Sequence, residues 1–176
     1  STPGPSVWIS GFGGEYGYST DLYSSVSGQK LEGPAIMTTD QSGCTAGYVG
    51  TAIVAAGGQE ANPFNDGTGG HPENPNCDYT SNFNGTSSAA PSVAGVVALM
   101  LEANPNLTWR DVKHILATTA DKIDDNRTTS VGGVVQYEWE TNAAGYNFHN
   151  WYGFGKIDAA GAISMAESYT SPLAPN

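Results

Sequence analysis

The sequence predicts an α/β layered domain, and an incomplete one. Three observations lead there. Segments with strand character precede segments with helical character, which suggests sheet and helix layers packed on one another. One helical segment, opening at Ser88, is apolar on nearly every face and needs layers on all sides. The strand signals are too few to cover three helices, so part of the layer around that apolar helix is expected to come from elsewhere.

The elements follow in order. Ser6–Ser10 (SVWIS) is rich in β-formers and stops at Gly11, Gly13 and Gly14, so a strand ending in a glycine turn is expected. Ala35–Asp40 (AIMTTD) reads as a second strand. Residues 41–85 are dense in turn signals such as NDG and HPENPN, with a short strand expected at Val49–Ala56. A connection of that length needs a job or a staple. It holds Cys44 and Cys77, the two cysteines of the chain, with no zinc-type spacing. One disulfide is expected, and with it an oxidising compartment; two free thiols are the alternative.

Three helices follow. The first is expected over Ser88–Ala103, with Pro91 in its first turn and Asn104-Pro105 as the stop. Small residues along it, among them Ala94, Gly95 and Ala98, let neighbours pack close. The second is capped by Thr108, with Asp111 completing a capping box, and presents Val112, Ile115, Leu116 and Thr119 on one face. The third starts from Asp158 as N-cap and runs through Ala166. Val134–Gly155 between the last two reads as a hairpin or an extended loop.

Composition narrows the partners. A chain of 176 residues can hold one domain with a sizeable core, and 39% apolar residues with four Trp argue for a globular fold. A net charge of −11 argues against a nucleic acid and against an anionic membrane surface as partner. Such acidity fits a solvated surface, a secreted protein, calcium ligands or a basic substrate. The apolar run Ala89–Leu101 falls short of the ~20 residues of a membrane span. The opening STPGPSVWISG reads as the middle of a protein, without a signal peptide, and the closing TSPLAPN reads as a linker. Residues 1–170 are thus expected to be a portion of a domain, and 171–176 the start of a connection to another.

The chemistry sits at FNGTSSAAP, where Ser87 stands at the mouth of the apolar helix. The first-turn N–H groups and the helix dipole favour negative charge there. A hydroxyl so placed suits acyl transfer, the oxyanion resting near the Ser87 backbone N–H. Gly85 allows a sharp turn and a close substrate approach. On these grounds alone, Ser87 or Ser88 could equally be an ordinary N-cap.

The string Gly85-Thr86-Ser87-Ser88-Ala89-Ala90-Pro91 resembles the nucleophile motif G-T-S-x-A-x-P of the subtilisin-like serine proteases, and Asn84 before it also fits. LEANPNLTWRDVKHIL (101–116), NWYGFGKIDAAGAI (150–163), PAIMTTDQSGC (34–44) and SVWISGFGG (6–14) resemble, in order, segments of the kexin- and furin-like branch. The resemblance implies a subtilisin-like three-layer fold around a mainly parallel sheet, of which this chain is the C-terminal part. It implies a secreted serine endopeptidase with Ser87 as nucleophile and Asn84, Gly85 and Thr86 beside the substrate groove. It also implies structural calcium as a family habit, with no ligands assigned, a peptide or protein substrate, and often an accessory β domain downstream.

A serine needs a base, and the base an orienting carboxylate. The chain has His71, His114 and His149, none in the family's catalytic histidine motif. SGFGG would carry Phe12 where the family's oxyanion motif has Asn, and it aligns better with a later strand and turn. The resemblance therefore implies that the His, the Asp and the oxyanion Asn lie on an N-terminal part carried by another chain. The rival expectation is a non-catalytic fragment or pseudoprotease that serves in binding or assembly. Asp121, Asp124 and Asp125 lack a calcium-loop spacing and read as a solvated helix end. Asn84, Asn106 and Asn126 form N-x-T sequons, that at Asn84 reading as chance; Trp109 reads as a packing anchor, as does the aromatic run Tyr146–Phe154.

Overall fold

The computed structural model describes residues 3–14, 36–47, 71–131 and 134–172. The chain forms two compact units: residues 1–12 with 89–176, and residues 13–88. The expected strand at Val49–Ala56 lies outside the described residues.

In the unit 13–88, β1 (Ile36–Thr39) pairs antiparallel with β2 (Tyr79–Phe83), with a register shift between Ile36 and Thr38. The expected second strand is present. The turn-rich segment beyond β1 is tied to the segment leading into β2. The Asp40 N–H donates to the Asp78 carbonyl at 2.6 Å, and the Gly43 N–H to that of Asn76 at 2.8 Å. Asn74, buried, donates to the Tyr79 carbonyl and accepts from its N–H. The disulfide Cys44–Cys77 joins the two arms, as expected.

Helix α1 (Thr86–Ala103) follows β2 after two residues. It starts two residues earlier than expected, which puts Pro91 in the second turn. Having no N–H, Pro91 leaves the Ser87 carbonyl without its i+4 donor. By length and composition α1 could cross a membrane. At 18 residues it would reach about 27 Å. In the structure 11% of it is buried: Met100 is fully enclosed, and Val93, Val96 and Val97 pack on the same cluster.

That core belongs to the unit 1–12 with 89–176. Met100, Leu107, Val112, Ile115, Leu116, Ile157, Ala162 and Ala166 are buried together. Helix α2 (Trp109–Thr119) supplies the face expected of it. Helix α3 (Ala159–Ser168) starts from Asp158, whose carboxylate accepts from the Gly161 N–H. The Asn104 amide donates to the carbonyls of Ala166 and Tyr169, closing the far end of α3. Between α2 and α3 lie two antiparallel pairs: β3 (Thr129–Val131) with β4 (Val134–Tyr137), and β5 (Glu140–Thr141) with β6 (Asn147–Phe148). A hairpin or an extended loop was the expectation over Val134–Gly155; the β5–β6 pair lies inside that range, whereas the β3–β4 pair begins before it, at Thr129.

Three features differ from the sequence reading. Val7–Ser10 is not an extended strand of a sheet but a parallel bridge, Ser10 facing Lys156. Its bonds are regular: Phe154 N–H to the Trp8 carbonyl, Ser10 N–H to that of Gly155, Ile157 N–H to that of Ser10. The segment meets its partner over too few residues to propagate a ladder. Helix α1 is not buried on every side: Leu99 is 48% and Leu101 39% exposed, on opposite flanks of the helix. This is the gap expected of an incomplete α/β fold. Trp109 is not a packing anchor; it is 57% exposed and stacks under the Arg110 guanidinium at 4.4 Å. Trp8 holds the inward role, edge-on to Phe154 at 4.8 Å with its indole N–H on the Lys113 carbonyl.

The capping box at α2 is complete. Thr108 Oγ1 accepts from the Asp111 N–H, and the Asp111 carboxylate accepts from the Thr108 N–H at 2.8 Å. Its other oxygen accepts from the Ser171 hydroxyl at 3.0 Å, which docks the chain beyond α3 on α2. Burial pushes the Asp111 carboxyl up, but the Thr108 and Ser171 hydrogen bonds, with the His114 charge, together outweigh it and hold it below its usual range. A carboxyl lowered in the folded state stabilises in full above its unfolded value of about 4 and stops doing so as pH falls through the folded value. Thermal melts of wild type and Asp111→Asn should therefore differ most near neutrality and converge below pH 4; parallel curves from pH 7 to 2 would sink this account. The disulfide closes a separation of 33 residues, for which chain entropy gives roughly 3–4 kcal/mol. Urea titration of Cys44→Ser/Cys77→Ser should show a loss approaching that figure, read by a probe within residues 13–88.

Candidate active site

The site grows from the two residues that part β2 from α1, Asn84 and Gly85. The chain must reverse from strand to helix there, and Gly85 does so with φ +79°, a conformation that a side chain strains. The Gly85 N–H donates to the Gly13 carbonyl at 2.6 Å. This approach leaves little room at Gly13, where a Cβ would sit 3.0 Å from the Gly85 carbonyl oxygen and the neighbour would have to give by a few tenths of an ångström. Gly85 is thus demanded by its conformation and Gly13 favoured by the tight space beside it.

The helix then begins with three hydroxyl residues whose fates diverge. Thr86 and Ser87 are exposed; Ser88 is 2% exposed. The Ser88 hydroxyl reaches the Gly13 carbonyl at 2.7 Å and the Gly85 carbonyl at 2.9 Å. The Ser87 hydroxyl is hydrogen-bonded to nothing among the described residues and faces solvent in the first turn, where backbone N–H groups have no acceptor within the helix. Of the two serines that sequence alone left open as caps, Ser88 makes the inward hydrogen bonds and Ser87 is presented outward. Asn84, half-buried, Gly85 and Thr86 surround Ser87 in the chain.

No histidine among the described residues hydrogen-bonds to Ser87. His149 is fully buried; its Nδ1 accepts from the Trp151 N–H at 3.0 Å, which leaves the proton on Nε2, facing the Arg127 carbonyl at 3.3 Å. Both nitrogens are committed to backbone. His114 is exposed on α2 with Nδ1 3.4 Å from the Tyr146 hydroxyl. His71 caps its own turn, Nδ1 accepting from the Glu73 N–H. The backbone pairing of His149 was hidden from sequence reasoning, since both partners come from turns.

Among the described residues no group of three or more His, Cys, Asp or Glu is assembled for a metal. Asp121 is paired with Lys156 at 2.8 Å and Asp125 with Lys122 at 3.7 Å, and Asp124 accepts from the Tyr152 hydroxyl. These carboxylates are engaged with cations and a phenol, and they do not fit a calcium site as they stand.

Comparison with known proteins agrees with the geometry. A model of the subtilase family (Peptidase S8) matches residues 26–155. The chain is 36% identical to an extracellular serine protease of Aeromonas sobria over 99% of its own length and 26% of that protein's. It is 45% identical over 92 residues to the rat proprotein convertase subtilisin/kexin type 5, covering 52% of this chain and 5% of the convertase. The crystal structure of the A. sobria serine protease in complex with its chaperone superposes with a TM-score of 0.74 at 34% identity, over 98% of this chain and 27% of that one. This chain thus spans about a quarter of the Aeromonas protease's length. With the glycine turn, the outward serine and the helix behind it in place, the chain belongs to the subtilase family of serine peptidases, among relatives of the kexin-like kind.

Proposed function

We propose that this chain is the nucleophile-bearing part of a secreted subtilase endopeptidase, residues 1–170 contributing to the peptidase domain and 171–176 leading out of it. The observation that carries the reading is the outward hydroxyl of Ser87 at the start of α1, beside a turn that only glycine fits. Asn84, Gly85 and Thr86 then flank the bound peptide. The Cys44–Cys77 disulfide and the extracellular relative support secretion.

In the reaction, Ser87 Oγ attacks the scissile carbonyl carbon while its proton passes to a histidine. The C–O bond forms, and the carbonyl oxygen takes the charge near the Ser87 backbone N–H. The C–N bond breaks, the histidine protonates the leaving amine, and water hydrolyses the acyl-enzyme. No histidine among the described residues hydrogen-bonds to Ser87, and the family resemblance puts the base, its orienting carboxylate and the oxyanion Asn on a part of the protease outside this chain.

A fluorophosphonate probe tests this in the parent protease. The expected adduct lies on Ser87, Ser87→Ala abolishes it, and peptidase turnover falls on the order of 10⁶-fold. The 176-residue chain by itself should stay unlabelled. An adduct on any other serine, or none in the parent protease, overturns the reading and leaves a non-catalytic role in binding or assembly.

A further inference from the structure

We propose that Ser88 is a positioning residue for Ser87: its buried hydroxyl locks the turn that aims the nucleophile. This rests on the assignment of Ser87 as the attacking group. The Gly13 carbonyl receives two donors, the Gly85 N–H at 2.6 Å and the Ser88 hydroxyl at 2.7 Å. The second bond joins positions 75 residues apart in sequence, which a routine helix cap does not do. The same hydroxyl lies 2.9 Å from the Gly85 carbonyl, and the Ser88 N–H donates to that carbonyl at 3.1 Å. Residues 85 and 88 are therefore fixed on both sides of Ser87, and both are tied to Gly13.

The motif G-T-S-x-A-x-P leaves the position of Ser88 open, so the hydroxyl is not demanded by the turn itself. With alanine there, the Gly85–Gly13 bond remains and the helix start survives. What goes is the tie on the helical side, and with it the restraint on where the Ser87 hydroxyl points. Transfer to a carbonyl is sensitive to that aim: a misplacement of about 1 Å can cost a hundredfold in rate.

Inactivation kinetics with a fluorophosphonate on the parent protease separate the possibilities. Ser88→Ala should lower kinact about tenfold with KI unchanged, a loss within the range known for misplaced groups. Ser88→Thr, which keeps the hydroxyl, should recover most of it. Hydrogen exchange of the Gly85 amide should quicken in Ser88→Ala while the Asp40 and Gly43 amides, bonded to carbonyls of the same unit as Ser88, keep their protection, which shows that this unit is intact. Equal kinact in wild type and Ser88→Ala overturns the proposal, as does a Ser88→Thr variant as slow as Ser88→Ala with the Asp40 and Gly43 amides still protected. General loss of protection in Ser88→Ala with no recovery in Ser88→Thr makes Ser88 a folding residue and also overturns it. A wild type that is never labelled sinks the assignment of Ser87 instead.

Discussion

One backbone carbonyl, that of Gly13, decides where α1 can begin. It accepts from the Gly85 N–H and from the Ser88 hydroxyl, and the fit is close enough that a Cβ at Gly13 would crowd the Gly85 carbonyl. Strand β2 delivers the chain to this point, Gly85 turns it with a positive φ, and the helix leaves with Ser87 turned outward. Each step leans on the one before. A polar hydroxyl 2% exposed is tolerable because it is hydrogen-bonded; unpaired, it would cost on the order of 1–3 kcal/mol.

A second knot does comparable work far along the chain. Asp111 sits buried at the start of α2 and binds Thr108 with one oxygen and Ser171 with the other. A cap is normally a local device. Here it also fixes the segment that follows α3, so the helix start and the end of the described chain share one carboxylate. Such sharing makes the ionisation of that group matter beyond its own helix.

Local chemistry was legible in the sequence where partners are near. Thr108 with Asp111, Asp158 before α3, Cys44 with Cys77 and the β1 strand all rest on contacts or constraints that spacing and residue type announce. The ordered family segments carried the fold and the serine. What remained hidden depends on neighbours distant in sequence or missing from the described chain. Ser10 looked like part of a strand, yet its parallel partner, Lys156, lies 146 positions on and the contact stays a bridge. The even apolar character of α1 announced all-round burial, whereas among the described residues its hydrophobic side chains pack into a core on the side of Met100 and leave Leu99 and Leu101 exposed. Trp109 and Trp8 have the same side chain and opposite fates, which no local pattern distinguishes. Nor could spacing show that of two adjacent serines one turns in and the other out.

The bare leucines of α1 have a geometric corollary. Residues two positions apart stand about 200° from one another around a helix, so Leu99 and Leu101 are bare on opposite flanks of α1. A single cover cannot hide both; each flank needs its own layer before the helix becomes the interior element that its composition suits.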